Sequence, residues 1–239
     1  MKLKMVRDSG KINLLFLLGI CVILLIVGAL IYQNLGKKDY NPPAASSHSL
    51  RERAPISMPE KTIENKKIAV IVAFKDFRDE EYFVPKEILE EAGAEVKTAS
   101  NQMGRALGAD GGEVEIDFLV KDLNPADFDA VVFIGGPGCL GNLDNENSYK
   151  VIKETIAQDK VLAAICISPV ILAKAGVLKG KKVTVWSSPM DKSPVKILEE
   201  NGAIYQDESV VVDGKIITGN GPDAAKEFGE AIVKVLTGK

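Results

Sequence analysis

Three short and almost wholly apolar runs constrain the fold of this chain more than any other feature: Lys67-Ile-Ala-Val-Ile-Val-Ala-Phe74, Asp129-Ala-Val-Val-Phe-Ile134 and Val161-Leu-Ala-Ala-Ile165. A strand with water on one face alternates apolar and polar residues, whereas a strand apolar throughout is covered on both faces. Between and after these runs lie helical patterns, Glu80 to Ala92 closing at Gly93, and Asn147 to Gln158. Ala94 to Ala99 reads as a further strand, so the first segment is a βαβ unit. Glu113 to Leu119 alternates and fits a hairpin arm. Lys182 to Trp186 reads as a strand and Pro194 to Asn201 as a short helix. Ser209 to Thr218 reads as two strands about Asp213-Gly214, and Asp223 to Leu236 as a closing helix. Strands alternating with helices imply an α/β fold: a mostly parallel sheet with helices on both faces.

The third apolar run stops abruptly at Cys166, and Pro169 suits the first turn of a helix, where its missing N–H costs nothing. Cys166 therefore stands on a strand-to-helix elbow, which lifts a side chain out of the sheet. The neighbouring helix N-terminus favours thiolate over thiol. Taken by itself, a lone cysteine is more often a small buried side chain that only packs. Gly135-Gly136-Pro137-Gly138 and Gly219-Asn-Gly-Pro222 also follow strands, at the carboxyl ends where ligands of open α/β sheets collect. Their glycines allow backbone N–H groups to approach an oxyanion, or simply make tight turns.

Several chemistries are excluded. His48 is the only histidine, so residues 66–239 contain none, and Ser-His-Asp catalysis, Cys-His catalysis and histidine metal sites have no imidazole to use. No CxxC or zinc spacing occurs, and neither GxGxxG nor a Walker pattern is present, so no metal and no cofactor are expected. The net charge of −3 and the lack of a dense basic patch argue against nucleic acid as a partner.

The N-terminal part has a different character. Ile12 to Tyr32 carries no formal charge. At about 1.5 Å per residue a helix of that length crosses the ~30 Å core of a bilayer. The segment reads as an uncleaved transmembrane anchor, residues 12–32, behind a basic flank, residues 1–11; a cleaved signal peptide is the rival reading. Lys2, Lys4, Arg7 and Lys11 precede the span and only Lys37 and Lys38 follow closely, which orients the N-terminus inside and the soluble domain outside the cytoplasmic membrane. Residues 33–65, rich in Pro, Ser and charge, read as a flexible linker, and residues 66–239 have the size of one domain.

Four blocks together resemble the ThiJ/PfpI family, also called the Parkinsonism-associated deglycase family, of the class I glutamine amidotransferase-like superfamily. They are Glu80-Glu81-Tyr-Phe-Val-Pro85, Asp129 to Gly136, Ala163-Ala-Ile-Cys-Ile-Ser-Pro169 and Ile217-Thr-Gly-Asn-Gly-Pro222, in that order. The resemblance covers residues 66–239 and implies a single flavodoxin-like α/β/α sandwich. It implies Cys166 as the elbow nucleophile and Glu81 as its acidic partner. In the family this carboxyl group points at the sulfur and, when protonated, hydrogen-bonds to the thiolate, which calls for a raised carboxyl pKa. The N–H groups of Gly136 and Ile167 match an oxyanion-binding pair, and Gly135, Gly136, Ile167 and Trp186 are the implied substrate-binding positions. Homo-oligomers are implied by resemblance alone.

Two departures bear on function. Ile167 stands where protease-like relatives carry histidine, and Trp186 where others place one, so a peptidase has neither its base nor its acid. Ser168 replaces the glycine common at that position and is expected to narrow the approach to the sulfur. The chemistry that survives is thiol addition to a small aldehyde or 2-oxoaldehyde, of glyoxalase or deglycase type, through Cys166 and Glu81. The alternatives are a non-turnover redox sensor working through Cys166 oxidation and, behind it, a peptidase-like hydrolase or a vestigial binding domain.

Overall fold

A computed structural model describes residues 62–238. The expected anchor (12–32), its basic flank and nearly all of the linker lie outside the described residues. Among the described residues no helix is long and apolar enough to cross a membrane.

In chain order the strands are β1 (Lys67–Val72), β2 (Lys75–Phe77), β3 (Glu95–Ser100), β4 (Gly104–Gly108), β5 (Glu113–Ile116), β6 (Phe118–Leu119), β7 (Ala130–Phe133), β8 (Val161–Ile165), β9 (Lys182–Val183), β10 (Ile204–Tyr205), β11 (Val210–Asp213) and β12 (Ile216–Gly219). The helices are α1 (Asp79–Glu91), α2 (Cys139–Leu143), α3 (Glu146–Ala157), α4 (Pro169–Lys174), α5 (Ser193–Glu200) and α6 (Ala225–Thr237). The main sheet has seven strands in the order β11-β12-β8-β7-β1-β3-β6. All neighbouring pairs are parallel except β11 with β12. This is the mostly parallel sheet the apolar runs imply, in the flavodoxin-like arrangement the family resemblance implies.

The period-two geometry of strands divides the buried residues into two cores. Ala69, Ile71, Val131, Phe133, Leu162 and Ala164 face one side, where α2 to α5 supply Leu143, Val151, Ile152, Ile171 and Leu198. Ile68, Val70, Val72, Val132, Ala163 and Ile165 face the other, covered by Tyr82 and Leu89 of α1 and Phe228 and Ile232 of α6. In the main sheet β3 lies on one side of β1 and β7 on the other, so the switch point of the sheet falls between β1 and β7. The carboxyl ends of β1, β7 and β8 converge there, and this placement sets the site.

Three local expectations are corrected. Glu113 to Leu119 is not one arm: β5 pairs antiparallel with β4 in a small separate sheet that includes β2, while β6 joins the edge of the main sheet beside β3. The turn at Asp117, whose carboxylate accepts the Thr98 N–H, separates the two. Lys182 to Trp186 supplies only β9, paired with β10 outside the main sheet; beyond it the Thr184 N–H goes to the side-chain hydroxyl of Thr218 on β12 instead of to a backbone carbonyl. The packed unit also reaches back to Ile63, which is buried and donates its N–H to the Ala92 carbonyl.

Candidate active site

Cys166 follows β8 with a φ of 65°, in the left-handed region that a non-glycine residue rarely occupies. The strain is held from several directions. The Cys166 N–H donates to the Gly219 carbonyl at 2.9 Å, and its carbonyl accepts the Trp186 N–H at 2.8 Å. Ser168 is fully buried; its hydroxyl accepts the Ile165 N–H at 3.0 Å and lies 2.8 Å from the carbonyl oxygens of both Phe133 and Ile165. Ser168 therefore braces the elbow from inside the core and does not narrow the approach to the sulfur. Pro169 opens α4 as expected.

Glu81 arrives from the opposite side, on the first turn of α1. Pro85 lacks the N–H that would bond the Glu81 carbonyl, so tertiary contacts position this turn. Arg78 donates its backbone N–H to the Gly135 carbonyl at 3.2 Å. Asp79 accepts the N–H groups of Asp110 and Gly112 from the β4–β5 turn. Glu81 itself is completely buried, with Oε2 accepting the Gly135 N–H at 3.1 Å. Gly135 is the hinge of the arrangement. A Cβ placed there would stand 2.6 Å from Cys166 Cβ, 2.8 Å from Glu81 Oε2 and 2.8 Å from the Ile165 carbonyl oxygen, so only glycine lets the two side chains meet. Gly136, at φ 107°, turns the chain so that its N–H, with that of Ile167, is directed at the sulfur.

Burial pushes the Glu81 carboxyl up to about 7, against the hydrogen bonding of the Cys166 side chain, the Gly135 N–H and the Arg78 charge, which pull it down. Burial first, and the Glu81 charge second, push the Cys166 thiol up to about 12, with the Gly136 and Ile167 N–H groups acting the other way. The expected depression of the thiol by a helix N-terminus is overturned. Helix α4 has only six residues and a weak dipole, and desolvation outweighs it. The two groups interact without an aligned bond to Glu81 Oε1, which is buried and lacks a hydrogen-bond partner. They form one coupled acid-base unit: with a single proton between them, thiol plus carboxylate interconverts with thiolate plus carboxylic acid.

The unit opens into a cavity of about 300 Å³ lined by Arg78, Gly136, Pro137, Leu140, Cys166, Ile167 and Trp186. Four of the six expected residues line it or supply its sulfur, namely Cys166, Gly136, Ile167 and Trp186; Glu81 and Gly135 lie directly beneath. Sequence reasoning missed Arg78 and Leu140. Arg78 precedes the acidic run that starts α1, and its guanidinium, paired with Asp110 at 2.9 Å, is the one cationic side chain on the cavity wall. Among the described residues no cluster of acidic, histidine or cysteine side chains could hold a metal ion.

A family model described as the DJ-1/PfpI family matches residues 66–235. An uncharacterized protein of Methanocaldococcus jannaschii is 41% identical over 175 residues, covering 73% of this chain and 84% of its own. A deglycase of Pyrococcus furiosus is 32% identical over 167 residues, covering 70% of this chain and 98% of its own. The crystal structure of a ThiJ/PfpI domain protein from Brachyspira murdochii superposes with a TM-score of 0.69 at 34% identity, over 74% of this chain and 99% of that one. The chain belongs to the DJ-1/PfpI family.

Proposed function

We propose that this DJ-1/PfpI protein is a thiol-dependent enzyme of glyoxalase or deglycase type, acting on small reactive aldehydes and 2-oxoaldehydes through Cys166 and Glu81. The observation that carries the reading is a buried carboxyl raised to about 7 beside an elbow cysteine that opens into a cavity. A general base is most effective with a pKa near the working pH, and Glu81 has that value where Cys166 needs its proton removed. The sulfur attacks the aldehyde carbon as its proton passes to the Glu81 carboxylate. A C–S bond forms, and the carbonyl oxygen, facing the Gly136 and Ile167 N–H groups, receives the π electron pair and then the proton, giving a hemithioacetal. With a 2-oxoaldehyde, Glu81 then removes the proton from the sulfur-bearing carbon and returns it to the neighbouring carbon. The aldehyde carbon is thereby oxidised to a thioester and the ketone reduced to an alcohol, with no external electron acceptor. Water releases a 2-hydroxy acid and restores the thiol. The relative named a deglycase supports the class of chemistry.

A second reading keeps the same residues without turnover. The orphaned Glu81 Oε1 and the two N–H groups around the sulfur suit a sulfinate oxidised from Cys166, held by the carboxyl group in its protonated form. The domain is further proposed to be tethered to a membrane by residues 12–32 with its soluble part outside, on the strength of the uncharged Ile12 to Tyr32 and the basic flank before it. The deciding experiment is turnover of a panel of aldehydes by the full chain and by Cys166→Ala. Hydroxy acid formation that vanishes in the variant supports the enzyme. No turnover, with stoichiometric sulfinate formation under mild peroxide, favours the sensor. Resistance to alkaline extraction tests the tether, and a soluble full-length chain would sink it.

A further inference from the structure

Resting on the reading of Cys166 as a carbonyl acceptor, we propose that the cavity selects 2-oxoaldehydes with an apolar, aryl-sized tail over the methyl-substituted compound, with Trp186, Ile167 and Leu140 as the selecting surface. Its volume of about 300 Å³ lies at the lower end of cavities that hold organic ligands. Methylglyoxal bound at the sulfur would leave most of that space to water. The side chains around it, Pro137, Leu140, Ile167 and Trp186, offer such water almost no hydrogen bonds. A flat apolar tail displaces this water and contacts Trp186.

The chain holds these groups firmly. Trp186 is tied through its backbone N–H to the Cys166 carbonyl, which holds the backbone that carries the indole beside the nucleophile, while 36% of the residue stays exposed at the rim. Ile167 directly follows the nucleophile and packs against both cores. The one charged lining group does not favour an anionic tail. Arg78 is already paired with Asp110, and a carboxylate brought beside it would also meet Glu81, whose charged form predominates above neutral pH.

Burying an aromatic ring of this size changes binding on the order of tenfold to a hundredfold. The test separates recognition from turnover. The full chain is reacted with N-methylmaleimide, N-phenylmaleimide and a carboxylate-tailed maleimide, each rate being normalised to that of glutathione, with Cys166 modification read by peptide mass. The phenyl probe is expected to be at least about tenfold faster than the methyl probe, and the carboxylate probe slowest. Trp186→Ala and the smaller, more polar Ile167→Thr should each reduce the phenyl advantage severalfold. Turnover should follow the same order for phenylglyoxal against methylglyoxal. Phenyl preference in the maleimide series without turnover of either aldehyde supports the apolar site and defeats the enzyme reading. Equal normalised rates, a carboxylate preference, or a phenyl preference untouched by both variants overturns the proposal. Failure of every probe to modify Cys166 in the folded chain overturns both.

Discussion

Cys139 and Cys166 lie one loop apart at the same end of the sheet, and both are buried thiols whose pKa is raised chiefly by desolvation. Their surroundings differ in four ways. Cys139 opens α2 with ordinary helical backbone and packs into the aliphatic core; the Glu81 charge reaches it only through space, and it lacks the N–H donors and the hydrogen-bonding carboxyl group that surround the other sulfur. Cys166 has a left-handed backbone, two N–H groups aimed at its sulfur, a buried carboxyl group beside it and a cavity in front. Burial alone makes a cysteine inert. A reactive one needs burial combined with a proton acceptor and an open approach.

The largest expected contrast is in modification rate. In the native chain Cys166 should react with a small alkylating reagent about a hundredfold or more faster than Cys139, since Cys139 is reached only through local or global opening. In denaturant the two should be equal. Peptide-resolved alkylation checks both, and equal native rates would erase the distinction. Glu81→Gln sharpens it: without the carboxylate that takes the thiol proton, alkylation of Cys166 above pH 7 should slow severalfold, while turnover, deprived of its base, falls by about 10²–10⁴. In the unaltered chain, if it turns over aldehydes as proposed, kcat/KM should rise as pH increases through about 7, as the Glu81 carboxyl loses its proton, and then level off. A flat profile would remove Glu81 from the base role.

Smaller effects concern stability. An unfolded glutamate ionises near 4.5, whereas folded Glu81 holds its proton up to about 7. Between these values the native state binds more protons than the unfolded one, so stability falls as pH rises through the window. The full loss is on the order of 3 kcal/mol and is absent below the window. Denaturant melts of the wild type and Glu81→Gln at pH 5 and pH 8 measure it, and parallel pH dependence would contradict the assignment. Gly135→Ala should cost about 1–3 kcal/mol through its overlap with Cys166 Cβ and the Ile165 carbonyl. It should also depress turnover out of proportion to stability. Cys139→Ala should cost about 1–2 kcal/mol and leave kcat unchanged; a matching loss of activity would bring Cys139 into the site.

Much of this contrast was legible in the residues. The apolar runs determined the parallel sheet because a buried strand leaves no other composition possible, and the break at Cys166 before Pro169 marked the elbow. Glu81 was located by the family's acidic position, since nothing in Asp79-Glu80-Glu81 distinguishes a buried acid from two more exposed ones. The protonation state was misjudged, because a sequence displays a helix start but not the depth at which it lies. Ser168 looked like an obstruction, and only the fold shows its hydroxyl among the ends of β7 and β8. Arg78, in the loop before α1, and Leu140, on α2, approach each other over a long stretch of chain, with Gly136 packed against the Asp76 carbonyl and the Arg78 N–H.

Trp186 is the only tryptophan of the chain, and it stands at the rim of the cavity with its backbone fastened to the nucleophile. Excitation of indole in the full chain therefore reads a single place. Its emission maximum and quenching report the wetness of one small volume, free of any background from a second indole. A carbonyl compound settling against the ring, a sulfinate forming behind it, or the elbow loosening would each alter that one signal. The protein carries its own optical probe at the point where its chemistry is proposed to occur.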